Sequence, residues 1–273
     1  MPWRPLEAET LPDRGLTHAF APSLPGGRFS GPLVAFASVP STQTLCRVWA
    51  AGGAPEGTVV VADHQSEGRG RRGRTWTAAP GTSLLFSCLL RPPWPPARWP
   101  QLGLLAGCAV AEATEAVAGL PARLRWPNDV LVEGRKLAGI LAEGVVGERP
   151  SVILGVGVNV CQRAEEWPPE LAGLAVSLAA LGADVTREAL LAAILRRLAI
   201  RYEGLFADGF GPVREAWRDR ALLGAAVRTA AGEAIALDLA QDGGLVVRYP
   251  DGTLRTVVAD VEVEAAAASS GSR

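Results

Sequence analysis

The segment 68–74 reads Gly-Arg-Gly-Arg-Arg-Gly-Arg, and its surroundings decide what class of fold the chain can adopt. It contains the Gly-x-Gly-x-x-Gly spacing of a dinucleotide-binding turn, which needs a helix directly after the glycines. Here Thr75-Trp76-Thr77 leads to Pro80-Gly81 and then to the apolar run TSLLFSCLL at 82–90, so no helix fits. A second apolar run, GTVVVADHQ at 57–65, precedes the loop. The unit is strand, arginine–glycine loop, strand, and a Rossmann turn is excluded. Arg69, Arg71, Arg72 and Arg74 repel one another, while the glycines between them let the backbone turn tightly. Such a loop predicts mobility and closure over an anion, a polyphosphate or carboxylate, through charge-assisted bonds. A solvated basic loop or an RNA contact are the alternatives.

The rest of the chain alternates in the same way. LVAFASV (33–39) predicts a strand, and residues 41–51 a helix that starts at Ser41 or Thr42, both good N-caps. A helix is predicted over about 99–118, with Pro100 in its first turn and a stripe of Leu102, Leu105, Ala109, Ala113 and Val117. Short strands follow at 122–126, 129–134, 136–146 and 151–160, then a helix at 187–206 capped by Thr186. Residues 223–264 read as four or five short strands with turns at 231–232, 242–244 and 250–252. The expected organisation is a loosely ordered arm over 1–30, a main domain over 31–220, a small β-barrel over 221–264 and a disordered tail over 265–273.

Composition narrows the functional classes. The net charge of −1 gives no electrostatic case for nucleic acid or a membrane surface. No run approaches the ~18 apolar residues of a membrane span, and the N-terminus has no apolar core behind a basic start. Cys46, Cys88, Cys108 and Cys161 lie far apart without metal-ligand spacing, which fits reduced thiols in a cytoplasmic protein. Of 27 basic residues one is a lysine, Lys136. A lone lysine among arginines is a candidate for chemistry that needs a compact charge aimed at one atom.

That lysine falls in a second cluster, Arg125-Trp-Pro-Asn-Asp129 followed by Arg135-Lys-Leu-Ala-Gly-Ile-Leu141. A two-residue turn at Glu133-Gly134 would bring Lys136 back beside Asn128 and Asp129. Gly139 among large apolar neighbours predicts a close backbone approach. A third element, Gly155-Val-Gly157-Val-Asn159, ends an apolar strand, and Asn159 could hydrogen-bond a sugar or phosphate.

Together with Ser41-Thr42-Gln43 and Gln65 ahead of the arginine loop, these segments resemble the biotin–protein ligases in order and spacing, over residues 33 to 264. The resemblance implies an α+β fold: a central mixed β-sheet flanked by helices, with a small C-terminal SH3-like β-barrel. It implies ATP-dependent formation of biotinyl-5′-AMP, then transfer of biotin to a lysine of a biotin carboxyl carrier domain of a carboxylase. Carried over position by position, Ser41, Thr42, Gln43, Gln65, Gly70 and Gly139 belong to the biotin site. Arg69, Arg71 and Lys136 would bind the biotin carboxylate and the acyl phosphate. Arg72, Arg74, Trp76, Asn128 and Asn159 would serve the nucleotide, and Asp129 would position groups or contact Mg²⁺. The chain has Pro40 and Gln43 where the family often has Asp and Asn, and Arg125 where it often has Lys. About 30 residues precede the first strand without a helix-turn-helix pattern, so no DNA binding is expected. Many members of the family that the chain resembles dimerise through sheet edges, which leaves a homodimer open.

Three rivals remain on the sequence alone. A lipoate or octanoate ligase or transferase shares the fold, and such a transferase can use a cysteine nucleophile. A non-catalytic biotin-binding protein and an RNA-binding protein are the others.

Overall fold

The computed structural model describes residues 11–258 and 262–263. Its centre is a seven-stranded sheet in the order β1-β2-β3-β7-β6-β5-β4. The strands are β1 (Leu33–Val39), β2 (Val59–Gln65), β3 (Ser83–Leu90), β4 (Arg123–Arg125), β5 (Asp129–Val132), β6 (Arg135–Val145) and β7 (Ser151–Asn159). β1 and β2 run parallel and every other neighbouring pair is antiparallel, so the sheet is mixed.

Alternation along the strands separates two faces. Leu84, Phe86 and Cys88 of β3 and Val152, Leu154, Val156 and Val158 of β7 join the main core with α3 (Pro100–Ala118) and α4 (Arg187–Ala207). On the opposite face, Leu89 and Ile153 pack under α2 (Thr42–Ala51) through Cys46 and Trp49. α2 covers only one end of that face. The uncovered end is the floor of the functional cavity.

The stripe expected on α3 is too narrow. The helix is buried around most of its circumference from Gln101 to Thr114, because the sheet, α4 and α5 (Gly211–Arg220) enclose it. α4 starts as expected, with Thr186 Oγ1 accepting from Ala189 N at 3.2 Å. α5 was not foreseen. Its buried side chains are two, Val213 and Trp217, one turn apart.

Over the described residues 11–30, the expected loose arm is corrected. It holds α1 (Arg14–Phe20), capped by Asp13, whose Oδ1 accepts from Leu16 N at 2.9 Å. Phe20 and Phe29 are fully buried in the main core. Arg28 binds Glu56 at 3.2 Å and Glu203 at 3.1 Å. Two aromatic anchors nine residues apart are enough to tie down a segment with no periodic pattern. The expected tail over 265–273 lies outside the described residues.

A second, five-stranded antiparallel sheet follows, in the order β11-β10-β9-β8-β12. It comprises β8 (Ala226–Thr229), β9 (Gly232–Leu239), β10 (Leu245–Arg248), β11 (Leu254–Val257) and β12 (Glu262–Val263), and its three turns fall where the sequence placed them. Val227, Ala236, Leu239 and Val247 extend the main core. The β9–β10 turn reaches the large sheet, where Trp126 Nε1 donates to the Gly243 carbonyl at 3.1 Å.

Candidate functional site

Two rows of residues form the cavity floor. Leu85, Gly157 and Gly139 lie side by side across β3, β7 and β6, and Ser87, Gly155 and Leu141 form the adjacent row. Three of the six are glycines, and two side chains need that room. A Cβ on Gly155 would stand 2.5 Å from Gln43 Oε1, and one on Gly157 would stand 2.7 Å from Trp76 Cε2. Gly139 is approached closely, as expected, by side chains: its Cβ would lie 3.0 Å from the Trp76 ring and 3.4 Å from Lys136 Nζ. The cavity measures about 880 Å³.

The start of α2 supplies the buried wall. Gln65 Oε1 accepts from Thr42 N at 2.7 Å and from Thr42 Oγ1 at 3.0 Å. Thr42 Oγ1 and Ser87 Oγ share a hydrogen bond of 2.9 Å, and Ser87 Oγ donates to Gln43 Oε1 at 3.1 Å. Gln43 Nε2 donates to the carbonyls of Ile153 at 3.0 Å and Leu141 at 3.4 Å. Both donors of that amide serve the sheet, so Gln43 braces the floor and keeps one lone pair of Oε1 for a ligand. Ser41 is 2 % exposed, lines the cavity, and its Oγ has no hydrogen-bond partner. Buried hydroxyls are ordinarily satisfied, so this one is available for a ligand atom. Ser41 precedes α2 as its N-cap without making a side-chain cap bond.

The arginine loop is a closed hairpin. Trp76 N donates to Gly68 O at 3.0 Å, Gly70 N to Arg74 O at 2.7 Å, and Arg69 bridges Thr75. Arg72 takes a left-handed conformation, φ 56°, beside Gly73 at φ 71°. Arg69, Gly70, Arg71, Arg72 and Arg74 all line the cavity. Arg69 Nη2 lies 3.1 Å from Glu143 Oε1. Trp76 lays its ring over Gly139 and Gly157, and its Nε1 is buried without a hydrogen-bond partner.

On the far wall, Glu133 and Gly134 turn with positive φ, 50° and 74°, as a two-residue hairpin requires. Lys136 Nζ comes to 2.7 Å from Asp129 Oδ1 and 5.7 Å from the Trp76 ring centroid. Arg125 holds Oδ2 of the same aspartate at 2.7 Å through Nη2 and at 3.2 Å through Nε. Both oxygens of Asp129 face cations, and among the described residues no three His, Cys, Asp or Glu converge. A hard dication prefers unneutralised oxygen ligands, so the expected Mg²⁺ contact at Asp129 does not fit this arrangement.

Asn128 and Asn159 both line the cavity, each with structural ties. Asn128 Nδ2 donates to Ile140 O at 3.2 Å. Asn159 Nδ2 donates to the carbonyls of Lys136 at 3.3 Å and Val176 at 3.2 Å, so only its oxygen remains for a ligand. Sequence reasoning missed Ser87, a lone hydroxyl within an apolar strand. It also missed Trp167, Leu171 and Leu174, which close one side of the cavity. That segment pairs with the lysine's own backbone, Lys136 N to Leu174 O at 2.8 Å and Val176 N to Lys136 O at 3.0 Å.

No cysteine lines the cavity. Burial pushes the thiols of Cys88 and Cys108 up to about 12 and raises that of Cys46 well above the ordinary range. A thiol so placed is not a nucleophile. His64 pairs with Ser38 at 3.2 Å and stays outside the cavity lining. The arrangement is a buried polar end, an apolar glycine floor and an open end crowded with guanidinium and ammonium groups. It suits a small acid with a polar head, activated through its carboxylate.

Comparison with known proteins agrees. Residues 35–159 match the model of the biotin/lipoate A/B protein ligase family. The chain is 38 % identical over 235 residues to a bifunctional ligase/repressor BirA of Bacillus spizizenii, covering 82 % of this chain and 72 % of that protein. It is 35 % identical over 216 residues to a biotin–[acetyl-CoA-carboxylase] ligase of Paracoccus denitrificans, covering 75 % and 88 %. Among solved structures it resembles the biotin protein ligase from Aquifex aeolicus in complex with biotin and ATP, with a TM-score of 0.75, 30 % identity, and 86 % and 99 % of the two chains covered.

Proposed function

Because the chain belongs to the biotin/lipoate A/B protein ligase family, we propose that it joins biotin to a lysine of a biotin carboxyl carrier domain, using ATP. The observation that carries this reading is the meeting, in one cavity, of a lysine held by an aspartate at 2.7 Å, an arginine loop and a buried polar end.

In the first half-reaction a biotin carboxylate oxygen bonds to the α-phosphorus of ATP and the α–β phosphoanhydride breaks, giving biotinyl-5′-AMP and pyrophosphate. Two anions must approach. Lys136, Arg69 and Arg71 neutralise that repulsion and the charge that develops at phosphorus, and one such contact is worth about 10²–10³ in rate. Asp129 orients Lys136, while Arg72, Arg74, Trp76, Asn128 and the oxygen of Asn159 serve the nucleotide. Mg²⁺ would be supplied with the phosphates of ATP, its usual mode of binding, since both oxygens of Asp129 already face Lys136 and Arg125. In the second half-reaction the neutral carrier amine attacks the acyl carbon, the amide forms and AMP leaves. No protein nucleophile takes part.

Biotin is favoured over lipoate and octanoate by the buried end. A ureido ring has two N–H donors and a carbonyl acceptor to offer the buried end, whereas a dithiolane or an alkyl chain would leave the Ser41 hydroxyl unpaired. A site built for hydrogen bonding rejects an analogue without them by up to about 10⁴–10⁵. A cysteine-dependent transferase has no thiol at the cavity. The proposal takes over the ligase half of the bifunctional relative's name and not the repressor half, and it places the chain in the cytoplasm, where ATP and carboxylases meet. No helix among the described residues is long and apolar enough to cross a membrane.

The test is pyrophosphate release from ATP and Mg²⁺ with biotin, lipoate or octanoate, followed by addition of a carrier domain. Biotin-dependent release, labelling of the carrier lysine, and loss of most of the first step in Lys136→Ala are expected. Release with lipoate alone would move the substrate. No release with any of the acids would leave a binding protein.

A further inference from the structure

Glu143 lies on β6, seven residues beyond Lys136, and does not line the cavity. Its side chain is only 22 % exposed and holds two arginines from two other elements. Oε1 accepts from Arg69 Nη2 at 3.1 Å and Oε2 from Arg69 Nη1 at 3.4 Å, a two-pronged grip on the first arginine of the loop. Oε2 also accepts from Arg47 Nη2 at 3.1 Å. Arg47 belongs to α2, whose first turn carries Thr42 and Gln43 at the buried end. Three cavity walls therefore meet on one carboxylate: β6 with Lys136 and Gly139, α2, and the arginine loop.

We infer that Glu143 is a positioning residue for the biotin site, clamping the arginine loop and α2 to the strand that carries Lys136. The loop brings four guanidinium groups together within six residues, and their mutual repulsion opposes its closed hairpin. A carboxylate on the adjoining strand offsets that repulsion where the loop begins and orients Arg69 along the cavity edge. Its bond to Arg47 fixes how far the buried end stands from the loop, a distance that a substrate of fixed length must match. Arg–carboxylate bonds of this two-pronged kind are roughly twice as strong as neutral ones and are directional. Loss of the charge should therefore loosen both walls while leaving Lys136 and Asp129 in place. The inference rests on the biotin-ligase reading for its substrate, but not for its mechanical content.

The experiment uses the full chain with Glu143→Gln and Arg47→Gln. In Glu143→Gln the KM for biotin should rise about tenfold, equivalent to about 1.4 kcal/mol, with kcat within about threefold of wild type. Without biotin and ATP added, trypsin should cut after residues 69, 71, 72 and 74 several times faster than in wild type, read by mass spectrometry. Arg47→Gln, which keeps the Arg69–Glu143 pair, should raise the biotin KM less and leave loop cleavage at the wild-type rate. If Glu143→Gln does not fold, Glu143→Asp, which keeps the charge but shortens its reach, should give intermediate values of both. The inference is overturned by wild-type KM and cleavage in Glu143→Gln, by a fall in kcat alone, or by loop cleavage in Arg47→Gln as fast as in Glu143→Gln. If wild-type protein releases no pyrophosphate with biotin, the functional reading fails, and the cleavage comparison still decides the clamp.

Discussion

Replacing Gly157 with alanine puts a methyl group where the Trp76 ring already lies. Its Cβ would stand 2.7 Å from Cε2, 3.0 Å from Cζ2 and 3.1 Å from Cδ2. Carbon atoms in contact sit about 3.5–4.0 Å apart, so the ring must withdraw by roughly 1 Å. It cannot do so alone, because Trp76 N is bonded to Gly68 O and Thr75 is bridged to Arg69, so the arginine loop must move with it. Overpacking of this kind costs about 1–3 kcal/mol, which for a chain of this size lowers the melting temperature by about 2–12 °C. Activity should suffer more than stability, since a misplacement of about 1 Å in a positioning element can cost about 10²-fold. The assay is biotin-dependent pyrophosphate release beside a thermal melt of the same preparation. Trp76→Phe in the same chain, with a smaller ring, should recover part of the loss, giving a non-additive double mutant. Pyrophosphate release within about threefold of wild type in Gly157→Ala, with unchanged biotin KM, would refute the coupling of ring, glycine floor and loop.

Three further outcomes are expected. Lys136→Arg keeps the charge but not the compact ammonium beside Asp129, so the first half-reaction should fall about 10²–10³-fold with an unchanged melting temperature. Trp126→Phe removes the donor to the Gly243 carbonyl and should cost about 1–3 kcal/mol, read as a lower denaturant midpoint. A disulfide thiol reagent near neutral pH should modify only Cys161, which is exposed. The three buried thiols, with Cys88 and Cys108 raised to about 12, should react on unfolding.

Much of this molecule was legible in its sequence, for identifiable reasons. β2 and β3 announce themselves as apolar runs between turn residues, and α2, α3 and α4 by apolar positions at helical spacing with a cap or proline at the start. The Asp129–Lys136 contact was legible because a two-residue turn returns β6 alongside β5: Lys136 pairs with Leu131, and its long side chain reaches Asp129. α1 and α5 were not, since each is short and is held by one or two large side chains, Phe20 in one and Val213 with Trp217 in the other. Ser87 was hidden because a single hydroxyl does not interrupt an apolar strand. The 167–175 wall was hidden because it is tied to Lys136 by main-chain bonds, which leave no mark in side-chain pattern. The close approach at Gly139 was legible, but not what approaches: the neighbour is an indole delivered from 63 positions earlier in the chain, and only the closed loop reveals it.

The single lysine has a consequence outside the reaction itself. A ligase of this kind makes an acylating agent that any free amine can consume. Apart from the N-terminal amine, this chain offers one primary amine, and that ammonium is held against a carboxylate at 2.7 Å. The remaining basic side chains are arginines, whose guanidinium groups stay protonated and do not take up acyl groups under such conditions. The surface is thus charged for solubility almost entirely with groups that its own product cannot mark. The protein can sit beside a leaking reactive intermediate while offering it very few amines to acylate.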